Sequence, residues 1–286
     1  MRQEVSSTNV VLATVAALCL LLPTWPVVAQ QITPLNAPLP PAKLDLQQVL
    51  ANLEQRNLQR AAALKQFEGT RVYRMEYHGF PSDRDAQMVV KVTFRSPNSK
   101  QFTIVSETGS KFVIDHVFKK LLESEQEFLT PDHQQEDVLT RKNYNFEMAG
   151  YQTTPDGPQY VLSLVPKNKD KYSYHGKIWV DAHDFAVTRM EGEPARNPSV
   201  WIRKTEIAHS YKKVDGFWLP AENHTESFIR LGGRASLSIQ YQDYKITKAS
   251  PAEIAKKLRQ SGDAAVDGSV TGDGSWAQQF ARRIAP

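Results

Sequence analysis

Seven histidines, His78, His116, His133, His175, His183, His209 and His224, are the side chains best suited by type to ligate a metal or move a proton. Their spacing supports neither. No pair stands at HxxxH or HExxH distance, so nothing points to a helical zinc site. The densest polar cluster is Asp181-Ala182-His183-Asp184. It could line a metal-binding loop. It lies, however, between Trp179-Val180 and Phe185-Ala186-Val187, where aspartates bond the backbone of a β-turn, and the turn is the reading adopted. Lys167, Lys169 and Lys171 beside Asp170 read as a solvated hairpin tip, and Asn223-His224-Thr225 as a chance glycosylation sequon. GxSxG, Walker A and GxGxxG are all missing. The expectation is a non-enzyme with no catalytic residue, no metal and no cofactor.

The wider composition agrees. Among 286 residues, Lys+Arg 35 against Asp+Glu 31 leaves +4, too small and dispersed a charge to suggest nucleic acid. Hydrophobic residues at 41% and charged residues at 23% are those of an ordinary globular chain. One cysteine, Cys19, cannot close an intrachain disulfide. It sits within Val10–Leu22, an apolar run shorter than the ~20 residues of a membrane span. Pro23, Trp25 and Pro26 break that run before Val27-Val28-Ala29. Residues 1–29 are therefore read as a secretory signal peptide cleaved after Ala29, with a retained membrane anchor as the other reading. Cys19 lacks a lipobox, since Ala16 and Leu18 hold its key positions. An exported chain without cysteine must be stable without disulfides.

Residues 30–43, with Pro34, Pro38, Pro40 and Pro41, read as an extended tether. Asp45 and Gln48 have capping-box spacing, and Leu46, Val49, Leu50, Leu53 and Leu58 follow at helical spacing, predicting a helix over Asp45–Gln66. From Thr70 the period becomes two. Strands are predicted at Val72–His78, around Met88–Phe94 and at Gln101–Ser106 as an antiparallel meander. A helix follows at Lys111–Glu123. Its apolar face is Ile114, Val117, Phe118, Leu121 and Leu122, and Lys119, Lys120, Glu123 and Glu125 are placed on its solvated side.

Further strands are predicted at Tyr144–Met148, Tyr160–Pro166, Tyr174–Asp181, Phe185–Glu191, Val200–Tyr211, Phe217–Ile229 and Ala235–Tyr244. Ser250, Pro251 and Glu253 open a helix to about Gln260. Residues 261–286 read as a mostly disordered tail. The fold class is thus α+β: one large curled antiparallel sheet, a half-open β-barrel of about ten strands, with about three covering helices.

The sheet is apolar on one face. Met88, Val90, Val92 and Phe94 share that face, as do Leu162 and Leu164, and Leu237 and Ile239. Few helices over a wide apolar sheet leave either a cavity suited to an acyl chain or a solid core, and the pattern alone leaves both open. The eight residues are the lipid-cavity candidates. The lid candidates are the helices Lys111–Glu123 and Asp45–Gln66, with Ile114, Val117, Phe118 and Leu121 as the named lid side chains.

Three segments carry a resemblance: Val92–Phe102, Lys177–Glu193 and Phe217-Trp218-Leu219-Pro220. The middle one is similar to an Ile-Trp-Val-Asp, turn, Arg-x-Glu hairpin. Together they resemble the LolA/LolB/RseB superfamily of periplasmic lipoprotein-carrier folds over roughly Asp45 to Thr247, within a domain spanning 44–260. The resemblance implies a half-open barrel with helices as a lid over a hydrophobic cavity. It implies a periplasmic carrier that shields the acyl chains of a lipoprotein or lipid on the way to the outer membrane, with possible membrane donor and acceptor proteins as partners. An envelope-sensing module of the RseB kind is the first alternative and an envelope enzyme the second. In LolA proper an arginine directly before the proline of the first hairpin turn is tied to lid opening. Here Arg95-Ser96-Pro97 puts the arginine one residue further away, which in a strand reverses its face unless a bulge corrects it. Arg95 is the gating candidate.

Overall fold

The computed structural model of the chain describes residues 43–127, 139–168, 173–196, 202–230 and 232–266. The predicted signal peptide and nearly all of the tether lie outside these residues, as do Lys169, Lys171 and residues 267–286.

Helix α1 (Leu46–Ala63) starts where its capping box places it. Asp45 Oδ1 accepts from Gln48 N at 2.9 Å, and Gln48 Oε1 accepts from Asp45 N at 3.0 Å. Asp45→Ala is expected to lower unfolding stability by about 1 kcal/mol, read from the denaturant midpoint at unchanged slope. The helix buries Val49, Leu50 and Leu53. It stops at Ala63, earlier than the predicted Gln66, and β1 (Leu64–His78) begins at once. Pairing decides this boundary. Leu64, Gln66 and Phe67 find partners Lys248, Thr247 and Ile246 on β10 (Arg234–Lys248), and the ladder outweighs their helical preference.

Ten strands form one antiparallel sheet, as predicted. Between β1 and β10 run β2 (Arg84–Arg95), β3 (Ser99–Gly109), β4 (Tyr144–Thr154), β5 (Gly157–Pro166), β6 (Tyr174–Asp181), β7 (Val187–Pro194), β8 (Ile202–Val214) and β9 (Phe217–Ile229). Their spatial order is β3-β2-β1-β10-β9-β8-β7-β6-β5-β4, so two meanders join through the β1–β10 pair and the sheet does not close.

Between β3 and β4 lies the predicted second helix, in two α segments joined through a π turn. Segment α2 (Lys111–Val113) leads through Ile114–Phe118 into α3 (Lys119–Glu127). Lys119 N donates to Ile114 O across the wide turn. The last helix, α4 (Pro251–Val266), opens on a capping box between Ser250 and Glu253 and runs past the predicted end at Gln260, into the segment read as tail.

Candidate functional site

The inner face of the sheet carries two apolar regions, each under its own helix. On β1, β2 and β10, the side chains of Tyr73, Met88, Val90, Val92, Leu237 and Ile239 pack against Val113, Ile114, Phe118, Leu121 and Leu122. Val117 packs at the rim of this group. On β4 to β8, Tyr160, Leu162, Leu164, Ile178, Met190 and Ile207 pack beneath Val49, Leu50 and Leu53 of α1. The cavity candidates are all buried on this face, but they do not form one group. Five belong to the first region, Leu162 and Leu164 to the second, and Phe94 to a third, smaller cluster with Leu64, Phe217 and Leu219.

A polar seam runs along β9 and the adjoining β8, where the two regions meet in the sheet order. Thr205, His209, Asn223, Thr225 and Ser227 are all buried there. Thr205 Oγ1 and Ser227 Oγ are 3.1 Å apart, Asn223 Nδ2 lies 3.1 Å from His209 Nδ1, and Thr225 Oγ1 donates to Asn223 Oδ1. Burial drives the His209 pKa down to about 3, and the Arg71 guanidinium adds to the shift. His209 is therefore neutral at ordinary pH.

The helix over the first region is tied to the sheet by buried charge. Glu125 of α3 is only 1% exposed. Its Oε2 takes Arg71 Nη1 at 2.7 Å, and its Oε1 takes Arg71 Nη2 at 3.1 Å and Lys100 Nζ at 2.6 Å. Arg71 also donates to Tyr73 Oη at 3.2 Å, and its guanidinium lies 5.2 Å from the Tyr241 ring centroid and 5.6 Å from that of Phe102. The placement of Glu125 on a solvated side is corrected here. It stands four residues after Leu121 and three after Leu122, hence on the same helical stripe. Arg71 shares its strand face with Tyr73 and Met75 along β1.

Arg95 is exposed at the end of β2, while its neighbour Phe94 is buried, so the arginine points away from the apolar face. The turn after β6 is structural in its contacts. Asp181 Oδ1 accepts from His183 N at 2.9 Å and Asp184 N at 2.6 Å. Burial alone would raise the Asp184 pKa. Hydrogen bonds from Lys213 and from Trp218 Nε1 at 2.8 Å bring it below the ordinary range. Arg60, near the end of α1, donates to the carbonyls of Asp184 and Phe185 at 2.9 and 2.8 Å. The hairpin thus grips α1, which is further held by Arg141 Nη2 on Glu54 at 2.7 Å.

A shallow depression of about 480 Å³ lies on the opposite, outer face, lined by Glu191, Glu193, Glu206, His224 and Glu226. Each of its four carboxylates is paired, Glu191 with Arg189, Glu226 with Arg234, and Glu193 and Glu206 with one shared cation, Lys204. Among the described residues no group of three or more His, Cys, Asp or Glu is arranged to hold a metal ion.

A family model described only as an uncharacterized protein matches residues 118–254. No curated relative matches the chain. Among solved structures, the chain is similar to a domain from Vibrio parahaemolyticus named as an outer membrane lipoprotein-sorting protein, at 10% identity and a TM-score of 0.36, over 75% of this chain and 99% of that one. It is similar to a LolA superfamily protein from Nitrosomonas europaea at 12% identity and 0.32, over 74% and 96%. It is also similar to a structure from the MucA/MucB complex of Pseudomonas aeruginosa at 10% and 0.23, over 73% and 96%. At these scores the likeness carries no ligand, partner or activity across.

Proposed function

We propose that the chain is a periplasmic carrier that binds acyl chains of a lipoprotein or lipid beneath the α2–α3 helix, for transport toward the outer membrane. The carrying observation is that this helix covers the apolar floor of β1, β2 and β10 and is tethered to it by one buried ion cluster. Helix α1, by contrast, continues directly into a strand and is pinned by Arg60 and Arg141. The lid is therefore α2–α3, and Phe118 and Leu121 are the side chains that an acyl chain replaces. Val92, Leu237 and Ile239 form the floor that it meets.

The energetics suit exchange. A buried methylene contributes about 0.8 kcal/mol, so an acyl chain of ordinary length gains roughly 10 kcal/mol if fully enclosed. That gain must first displace a packed helix, which leaves an affinity weak enough for release. No step here breaks a covalent bond in the cargo. The domain over 44–260 is the binding unit, residues 1–29 serve export and residues 30–43 are a tether.

Native mass spectrometry of protein taken from the export compartment tests this. The expected spectrum shows added mass that organic extraction removes and liposomes restore. A single bare mass, with no uptake from added liposomes, would refute lipid carriage.

A further inference from the structure

Phe80 is 79% exposed and Phe112 is 55% exposed, the two most exposed large apolar side chains among the described residues. Both lie at one end of the sheet. Phe80 is in the β1–β2 turn, where Tyr77 pairs with Arg84. Ala86 pairs with Gly109, and Ser110 N donates to Asp85 O at 2.7 Å, so the helix bearing Phe112 starts from the base of the same hairpin. Exposed aromatic rings cost free energy in water unless something covers them.

The turn is built to hold Phe80 outward. Tyr77 Oη donates to Phe80 O at 2.6 Å. The Asp83 carboxylate takes Gly79 N at 3.1 Å and lies 3.0 Å from His78 Nδ1. Phe112 is framed likewise. The Arg84 guanidinium lies 4.7 Å from its ring centroid, and His116 stacks on it at 4.5 Å. His78 pairs with Arg234, which draws the β9–β10 turn and Arg230 to the same end. The acidic residues beside them are Asp83 and Asp85, Glu76 near His78, Asp115 near His116 and Lys111, and Glu226, which pairs with Arg234.

We propose that this end of the sheet docks on an anionic phospholipid surface, with Phe80 and Phe112 entering the interfacial layer and Arg84, Lys111 and Arg230 meeting lipid phosphates. Protruding rings set among cations match such a surface in both respects, since the interface accepts aromatic bodies and the headgroups attract the charges. Two separate convex tips do not form the continuous, well-packed patch that a stable protein interface requires. The inference is independent of acyl-chain carriage.

The test uses the full chain. Val10–Leu22 is an apolar run that would gain free energy in lipid wherever it is retained, so the readout must be local to the tip. Phe80→Trp is compared with the parent chain on phosphatidylglycerol vesicles carrying lipid brominated near the headgroup. The expected difference signal is a blue-shifted emission that bromine quenches. It should weaken roughly fivefold for each charge removed in Arg84→Gln and Arg230→Gln, and it should be small on phosphatidylcholine or in about 0.5 M salt. A position-80 emission that vesicles leave unchanged, while the chain floats with them, overturns the proposal. So does quenching that is equal on phosphatidylcholine.

Discussion

Glu125→Gln is expected to destabilise the chain by about 3–5 kcal/mol, because it puts a neutral amide where buried Arg71 and Lys100 now share a carboxylate. The loss should appear as a lower denaturant midpoint. The compensating variant separates charge from shape. With Arg71→Met, Lys100→Met and Glu125→Leu together, these three charges are replaced by apolar groups of similar size, and most of the lost stability should return. If Glu125→Gln costs less than about 1 kcal/mol, the cluster is not what holds the helix. Hydrogen exchange in residues 111–127 supplies the local reading. Protection there should fall in Glu125→Gln, while α1 stays protected.

Acid is expected to unfold the chain through His209. In the folded state its pKa is about 3, held down first by burial and then by Arg71. An unfolded histidine titrates near 6.5, at about 1.4 kcal/mol per pH unit of difference. Above about pH 6.5 both states bind no proton and the stability is complete. Between about 6.5 and 3 only the unfolded chain takes the proton, so stability falls with pH by up to roughly 5 kcal/mol in all. Carboxylates titrate over part of this range, so the measurement is a difference. Denaturant midpoints of the parent and His209→Gln, taken at pH 7 and pH 4.5, should converge as pH falls. Parallel pH profiles in the two proteins would remove His209 from the account.

Much of the architecture could be read without coordinates, for reasons visible in particular residues. Tyr174–Asp181 and Phe217–Ile229 match the predicted strands to the residue, because turn residues such as Asp215-Gly216 bound them. The three helices were readable from caps and stripes. Boundaries set by a distant partner were not. Leu64 is strand only because Lys248 stands beside it, and nothing within α1 announces that.

The candidate site was legible as a face and illegible as a set of contacts. Alternation identifies Met88, Val90, Leu162 and Ile239 as inward-facing, yet two helices divide them into separate regions. Glu125 was missed because its charge was read ahead of its position on the stripe. The Thr205–His209 seam breaks the apolar pattern in the middle of the sheet, which residue type alone marks as surface. Its burial depends on packing from elements far along the chain.

The joining of the two meanders through β1 and β10 also sets an order of events during synthesis. Met75 pairs with Leu237 and Tyr73 with Ile239, so the floor beneath the α2–α3 helix is finished only when nearly the last strand has emerged. Until then β1, β2 and β3 present an apolar surface with an unmatched edge, and closing so long a loop is intrinsically slow. A chain cut short before β10 would keep every residue of α2 and α3 but lose Leu237, Ile239 and Tyr241 from the floor that seats them. The native pairing of β1 is therefore available only once its C-terminal partner strand has been made.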